Sequence, residues 1–119
     1  MKCVLEIPEI EALTGPSLDA LVALAEGWEQ DPKVPQQWHH AVRGIFLTLD
    51  QLKFSGSWAL AGPIIEGSHI MLMFGDKEWL AETGGSGATF ANHTFRDLNP
   101  LVAAMRAFVA SRFGPSILD

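Results

Sequence analysis

The sequence predicts an α+β fold, with a small antiparallel sheet of about three strands, including a hairpin near residues 69–83, packed with an N-terminal and a C-terminal amphipathic helix. Three stretches carry this expectation. "LTGPSLDALVALAEGW" (13–28) and "NPLVAAMRAFVASRFG" (99–114) repeat apolar side chains at helical spacing between capping and stop residues. "HIMLMFGDKEWLAET" (69–83) sets two short apolar runs around a turn pair.

In the first helix, Thr14 or Gly15 can cap, Pro16 sits in the first turn where a missing N–H costs nothing, and Asp19 lies near the positive end of the dipole. Leu18, Leu21, Val22, Ala25 and Trp28 share one face, and Gly27 and Asp31-Pro32 supply stop signals, so the expected span is 16–28. "DPKVPQQ" (31–37) has two prolines and no apolar period, and reads as an exposed connection. Residues 38–52 stay open: Trp38, Val42, Ile45, Phe46 and Leu49 fit a helix, while Arg43 to Leu49 also has strand composition.

The hairpin is expected to turn at Gly75-Asp76, with Ile70, Leu72 and Phe74 on one face and Met71 and Met73 on the other. "GGSG" (84–87) reads as a break and "ATFANHTF" (88–95) as a third strand. In the last helix Asn99 caps, Pro100 takes the first position and Gly114-Pro115 ends the run. Its stripe is Leu101, Val102, Met105, Phe108, Val109 and Phe113, with Arg106 and Arg112 towards the edges.

At 119 residues, 48% hydrophobic and 18% charged, the chain is the size of a single domain, expected over 1–119. No apolar stretch approaches the roughly 20 residues that span a bilayer, so no membrane association is expected. The start "MKCVLEIPEIEAL" lacks the pattern of a secretory leader, which points to the cytoplasm. The single Cys3 forms no internal disulfide and reads as a packed thiol. A net charge of −6 with scattered basic residues disfavours direct nucleic-acid binding.

Four histidines, His39, His40, His69 and His93, raise a metal site; His39 and His40 have no carboxylate three or four residues away, and Glu66 before His69 and Asp97 after His93 have helical spacing in segments that read as extended or turning, where it does not align side chains, so no metal or other cofactor is expected. "GGSGAT" lacks the Lys-Ser/Thr of a phosphate loop, no serine sits in a nucleophile elbow, and Glu78 and Glu82 read as exposed residues of one strand face. Enzyme chemistry therefore finds no specific support. The remaining feature is "SWALAGPIIE" (57–66), where Pro63 is expected to drive Gly62 away from helix and make the chain turn or run extended. That corner either docks into the core or exposes Trp58 as an anchor for a partner. Glu66 could pair with Arg106 and tie the corner to the last helix.

The blocks "LTGPSLDALVALAEG", "SWALAGPIIE" and "NPLVAAMRAFVASRFG" resemble, in order and spacing, the signature blocks of the NinX-like phage proteins, a family without an assigned function. The resemblance implies a small accessory protein of a phage or prophage acting in the bacterial host. It supplies no reaction. Relatives usually carry Ser-Thr-Asp/Asn-Trp where this chain has Ser55-Gly56-Ser57-Trp58, so any contact those polar groups make is altered here. Residues 34–52 and "GGSGATFANHTF" resemble the family poorly.

Together these readings favour a non-enzymatic module that binds a host or phage protein, with Trp58, Gly62, Pro63, Glu66 and Arg106 as candidate binding residues. A small-molecule binder or minor enzyme, using Glu66, Arg106 and a histidine between the sheet and the last helix, is the second expectation. The third is a homodimer joined through an apolar face of residues 38–52.

Overall fold

A computed structural model describes residues 5–40, 42, 44–83 and 94–113 of the chain. A short helix α1 (Ile7–Glu11) leads into α2 (Gly15–Ala25), followed by strands β1 (Trp28–Gln30), β2 (Gln37–His40) and β3 (Ile45–Thr48). A single 3₁₀ turn (Leu49–Gln51) precedes α3 (Trp58–Gly67), the hairpin β4 (Ile70–Gly75) and β5 (Glu78–Thr83), strand β6 (Phe95–Asp97) and α4 (Pro100–Phe113). The class and the antiparallel sheet are as the sequence predicts. The segment that stayed open adds a second sheet: β1-β2-β3 and β4-β5-β6 are separate three-stranded antiparallel sheets.

Helix α2 ends three residues before the expected Trp28. Gly27 takes φ +94°, a conformation that breaks the helix and that a side chain would strain. A Cβ there would also lie 3.1 Å from His40 Nε2, which itself sits 3.0 Å from the Glu26 carbonyl at the helix end. Trp28 is thereby released from the helix into β1, opposite His40, with their rings edge to face at 5.3 Å. The open segment is a hairpin because its alternate residues have different destinations: Trp38 and Leu47 pair on the inner face, while His39 and Phe46 stack on the outer one. The connection before it is exposed as expected, and its turn is held by Asp31 Oδ1, which accepts the N–H groups of Lys33 (2.7 Å) and Val34 (3.0 Å).

In the second sheet the two turn residues are Asp76 and Lys77, one place beyond the expected pair, both with positive φ as a type I′ turn requires. The facing is as predicted: Ile70, Leu72, Phe74, Trp79 and Ala81 share the α4 side, and Met71, Met73, Leu80 and Glu82 the other. The third described strand is Phe95–Asp97, which shares Phe95 with the expected 88–95; Phe95 pairs with Ala81 and enters the core, and residues 88–93 of that expectation lie outside the described residues. Residues 84–93, which include the expected break and His93, lie outside the described residues, as do Cys3 and Arg43.

Helix α4 begins as predicted, with Asn99 Oδ1 accepting the Leu101 N–H at 2.8 Å. Its burial differs. Residues 103–110 are buried without interruption, since α4 is covered by sheet β4-β5-β6, α1, α2 and α3. Arg106, expected at the edge of a stripe, is 6% exposed. Its Nε donates to the Leu13 carbonyl (2.9 Å), and its Nη1 donates to the Arg96 carbonyl (2.8 Å) and lies 3.4 Å from Asp97 Oδ1. The expected pairing with Glu66 is thus absent, because acceptors on two other segments, the α1–α2 connection and β6, hold the guanidinium while Glu66 faces solvent.

Two outcomes follow from this packing. Arg106→Leu removes the donor from two part-buried carbonyl acceptors, a loss of about 2 kcal/mol read as a lower urea midpoint; Asp97, still in reach of water, adds little. The backbone N–H groups of Lys33 and then Val34 hold the Asp31 carboxyl below the usual carboxylate range. Its contribution to stability is therefore present above the unfolded-chain pKa and lost as pH falls through the depressed folded value. An NMR titration should give an Asp31 midpoint below that of unfolded chain, and Asp31→Ala should abolish the accompanying shift of the Lys33 and Val34 amides.

Candidate functional site

The "SWALAGPIIE" segment is a helix, against the expected turn or extended run. Ser57 is extended and caps α3, its Oγ accepting the Leu60 N–H at 3.4 Å, and the Ser57 carbonyl starts the ladder by accepting from Ala61 at 2.9 Å. Pro63 removes one ladder bond, that to the Ala59 carbonyl, a defect that costs about 3 kcal/mol when buried in a helix interior. Here both Ala59 and Pro63 are on the exposed side, where water can take the freed carbonyl. On the opposite side Ala61 and Ile64 are buried and Leu60 and Ile65 pack against the same core, which outweighs the defect.

This geometry sorts the candidate residues. Trp58, Gly62, Pro63 and Glu66 lie at i, i+4, i+5 and i+8, on the side of α3 turned away from α4, with Trp58 57% exposed at the helix start and Glu66 exposed one turn beyond Pro63. Arg106 is not with them; it is a buried strut of the core, and the predicted joint use of Glu66 and Arg106 has no geometric basis. Ala59 completes the stripe, and Gly62 leaves it without a side chain between Trp58 and Glu66.

Beside the stripe runs an apolar groove of about 180 Å³ between α3 and the first sheet. Ala59, Leu60, Pro63 and Ile64 form one wall, and Trp28, Ile45, Leu47 and Phe54 the other. Glu26 is the one charged residue on its lining. Sequence reasoning missed this groove because Ile45, Leu47 and Leu52 of its second wall lie in residues 38–52, whose conformation periodicity left open.

The three described histidines do not converge. His39 packs on Phe46 at 5.6 Å, His40 closes over the end of α2, and His69 follows α3 with φ +53°. Among the described residues no three of His, Cys, Asp and Glu gather where they could hold a metal ion. Glu82, expected to be exposed, is half-buried on the face away from α4 and accepts from Thr94 Oγ1 at 2.8 Å.

Asp19 is the polar residue the sequence undervalued. Read there as a companion of the helix dipole, it is 5% exposed, and its Oδ1 accepts the Ser55 N–H at 2.8 Å. That bond ties α2 to the loop two residues ahead of the α3 cap. Helical periodicity carried a faint signal of it, since Asp19 sits beside Leu18 and Val22 on the buried face.

No helix among the described residues is long and apolar enough to cross a membrane. No curated protein matches the chain. The family model described as Bacteriophage P22, NinX matches residues 9–112, a span that takes in the first two blocks of the sequence resemblance and the third as far as Arg112. Across that span the blocks become α2, α3 and α4, the three helices that meet around the core, and the chain belongs to this phage NinX family.

Proposed function

We propose that the protein is a non-enzymatic accessory module of a phage or prophage, working in the cytoplasm of the bacterial host by docking a host or phage protein on the outer face of α3. The observation that carries this reading is Trp58, a large aromatic side chain more than half exposed at the start of a helix whose outer face otherwise holds small residues, with an apolar groove alongside. A Trp left in water forgoes roughly 2–3 kcal/mol of burial that a partner can recover, and Trp is among the residues that dominate interface energies. Ala59 and Gly62 let a partner's backbone approach closely, and Glu66 supplies a charge at the rim.

Capture of the tagged protein from its bacterial host, with and without phage induction, tests this, co-purifying proteins being identified by mass spectrometry. Trp58→Ala should leave the unfolding midpoint within about 0.5 kcal/mol of the parent, as for an exposed side chain, and weaken the partner about tenfold or more. Ala59→Arg, which sets a charge beside the groove, should do the same. Partners held equally by both variants, or recovery of the protein alone under both conditions, would overturn the reading.

A further inference from the structure

A second concavity, of about 340 Å³, lies between the first turns of α2 and the loop 53–56, and shares no lining residue with the α3 groove. Pro16 and Leu49 give it apolar walls, and Gly15 and Gly56 leave its sides without bulk. Asp19 lines it from within.

The carboxylate is only half satisfied. Oδ1 accepts from Ser55, while among the described residues no donor reaches Oδ2 and no cation pairs with the group. Asp19 keeps 5% exposure and lines the cleft, which puts its carboxylate at the inner wall of that space. A buried carboxylate with an unfilled oxygen is costly unless a donor completes it. Lys53 and Asp50 also line the cleft, 3.7 Å apart and mostly exposed, so their charges offset one another and are screened by solvent. The charge the cleft presents at depth is that of Asp19. An anion would meet it; a cation would be completed by it.

We propose that this cleft binds an alkylammonium or guanidinium group, carried by a free amine or by a Lys or Arg side chain. Asp19 Oδ2 accepts the charge-assisted hydrogen bond, and Pro16 and Leu49 flank the aliphatic stem. The site stands apart from the proposed α3 docking face, and either can fail without the other.

Titration of the ¹⁵N-labelled protein with n-butylammonium tests the proposal, with butan-1-ol as the neutral control. The Ser55 and Gly56 amides should shift saturably with butylammonium and not with butanol. Asp19→Asn keeps an oxygen for the Ser55 N–H and removes the charge, and should weaken binding about tenfold or more, the factor of one charge-assisted hydrogen bond. Gly56→Leu should also abolish binding: φ at Gly56 is not positive and an added Cβ meets nothing within 4 Å, so the backbone accepts the side chain that fills the cleft. If the Asn variant does not fold, the Leu variant decides. Unsaturable shifts, an equal response to butanol, or unchanged affinity in Gly56→Leu would overturn the proposal. Tighter binding of N-acetyl-lysine methylamide than of spermidine would assign the group to a polypeptide, and the reverse order to a free polyamine. Partner capture through Trp58 should be unaffected by Gly56→Leu.

Discussion

The burial of α4 is the constraint on which the other elements depend. A helix apolar on all sides has to be enclosed, and this one is covered by a sheet and three helices. Its alanines at 103, 104, 107 and 110 allow those neighbours to come close, while Met105, Phe108 and Val109 fill the spaces between them. Enclosure on that scale brings one charged side chain inside. Arg106 is accommodated because the surrounding chain offers it the Leu13 carbonyl from the α1–α2 connection and the Arg96 carbonyl and Asp97 carboxylate from β6. The guanidinium therefore specifies where two other segments lie, a role in which Lys, with a single point charge, could not meet the same geometry.

Helix α3 shows the same logic in reverse. Its inner face is held by Ala61, Ile64 and their neighbours, so its outer face is free to carry residues with no stabilising value of their own: a solvent-exposed Trp, a glycine and a ladder-breaking proline. The proline defect sits where water can relieve it, and the helix survives because capping by Ser57 and burial on one side outweigh it. Ser57 caps by the same chemistry that Asp or Asn would provide. The polar residue there serves the backbone.

Asp19 joins these two parts of the molecule. Its bond to Ser55 fixes the loop from which α3 starts, and it is buried by the same collapse that closes α2 on the core. The loop 53–57 consequently borders a charged cleft on one side and begins the exposed aromatic stripe on the other. These are distinct surfaces of different chemistry, one apolar and one anionic, presented by a scaffold in which no metal-binding cluster occurs among the described residues.

What the sequence determined by itself was local. The starts of α2 and α4, the β4–β5 hairpin and the facing of its strands follow from a proline in the first turn of each helix, the Asn99 cap of α4 and two-residue alternation, all of which act within a few residues. Trp58, Gly62, Pro63 and Glu66 were recognisable as a group for the same reason, as near neighbours in one short segment. Only the tertiary structure decided that this segment is a helix, that Gln37–His40 and Ile45–Thr48 are strands, that the third described strand of the hairpin sheet is Phe95–Asp97, and that Arg106 and Asp19 are buried. Each of those depends on partners distant in the chain: Arg106 on Leu13, Asp19 on Ser55, Trp38 on Leu47, Phe95 on Ala81. Local preference at these positions was weak or opposed, as at Pro63, and the free energy of enclosing a common core exceeded it.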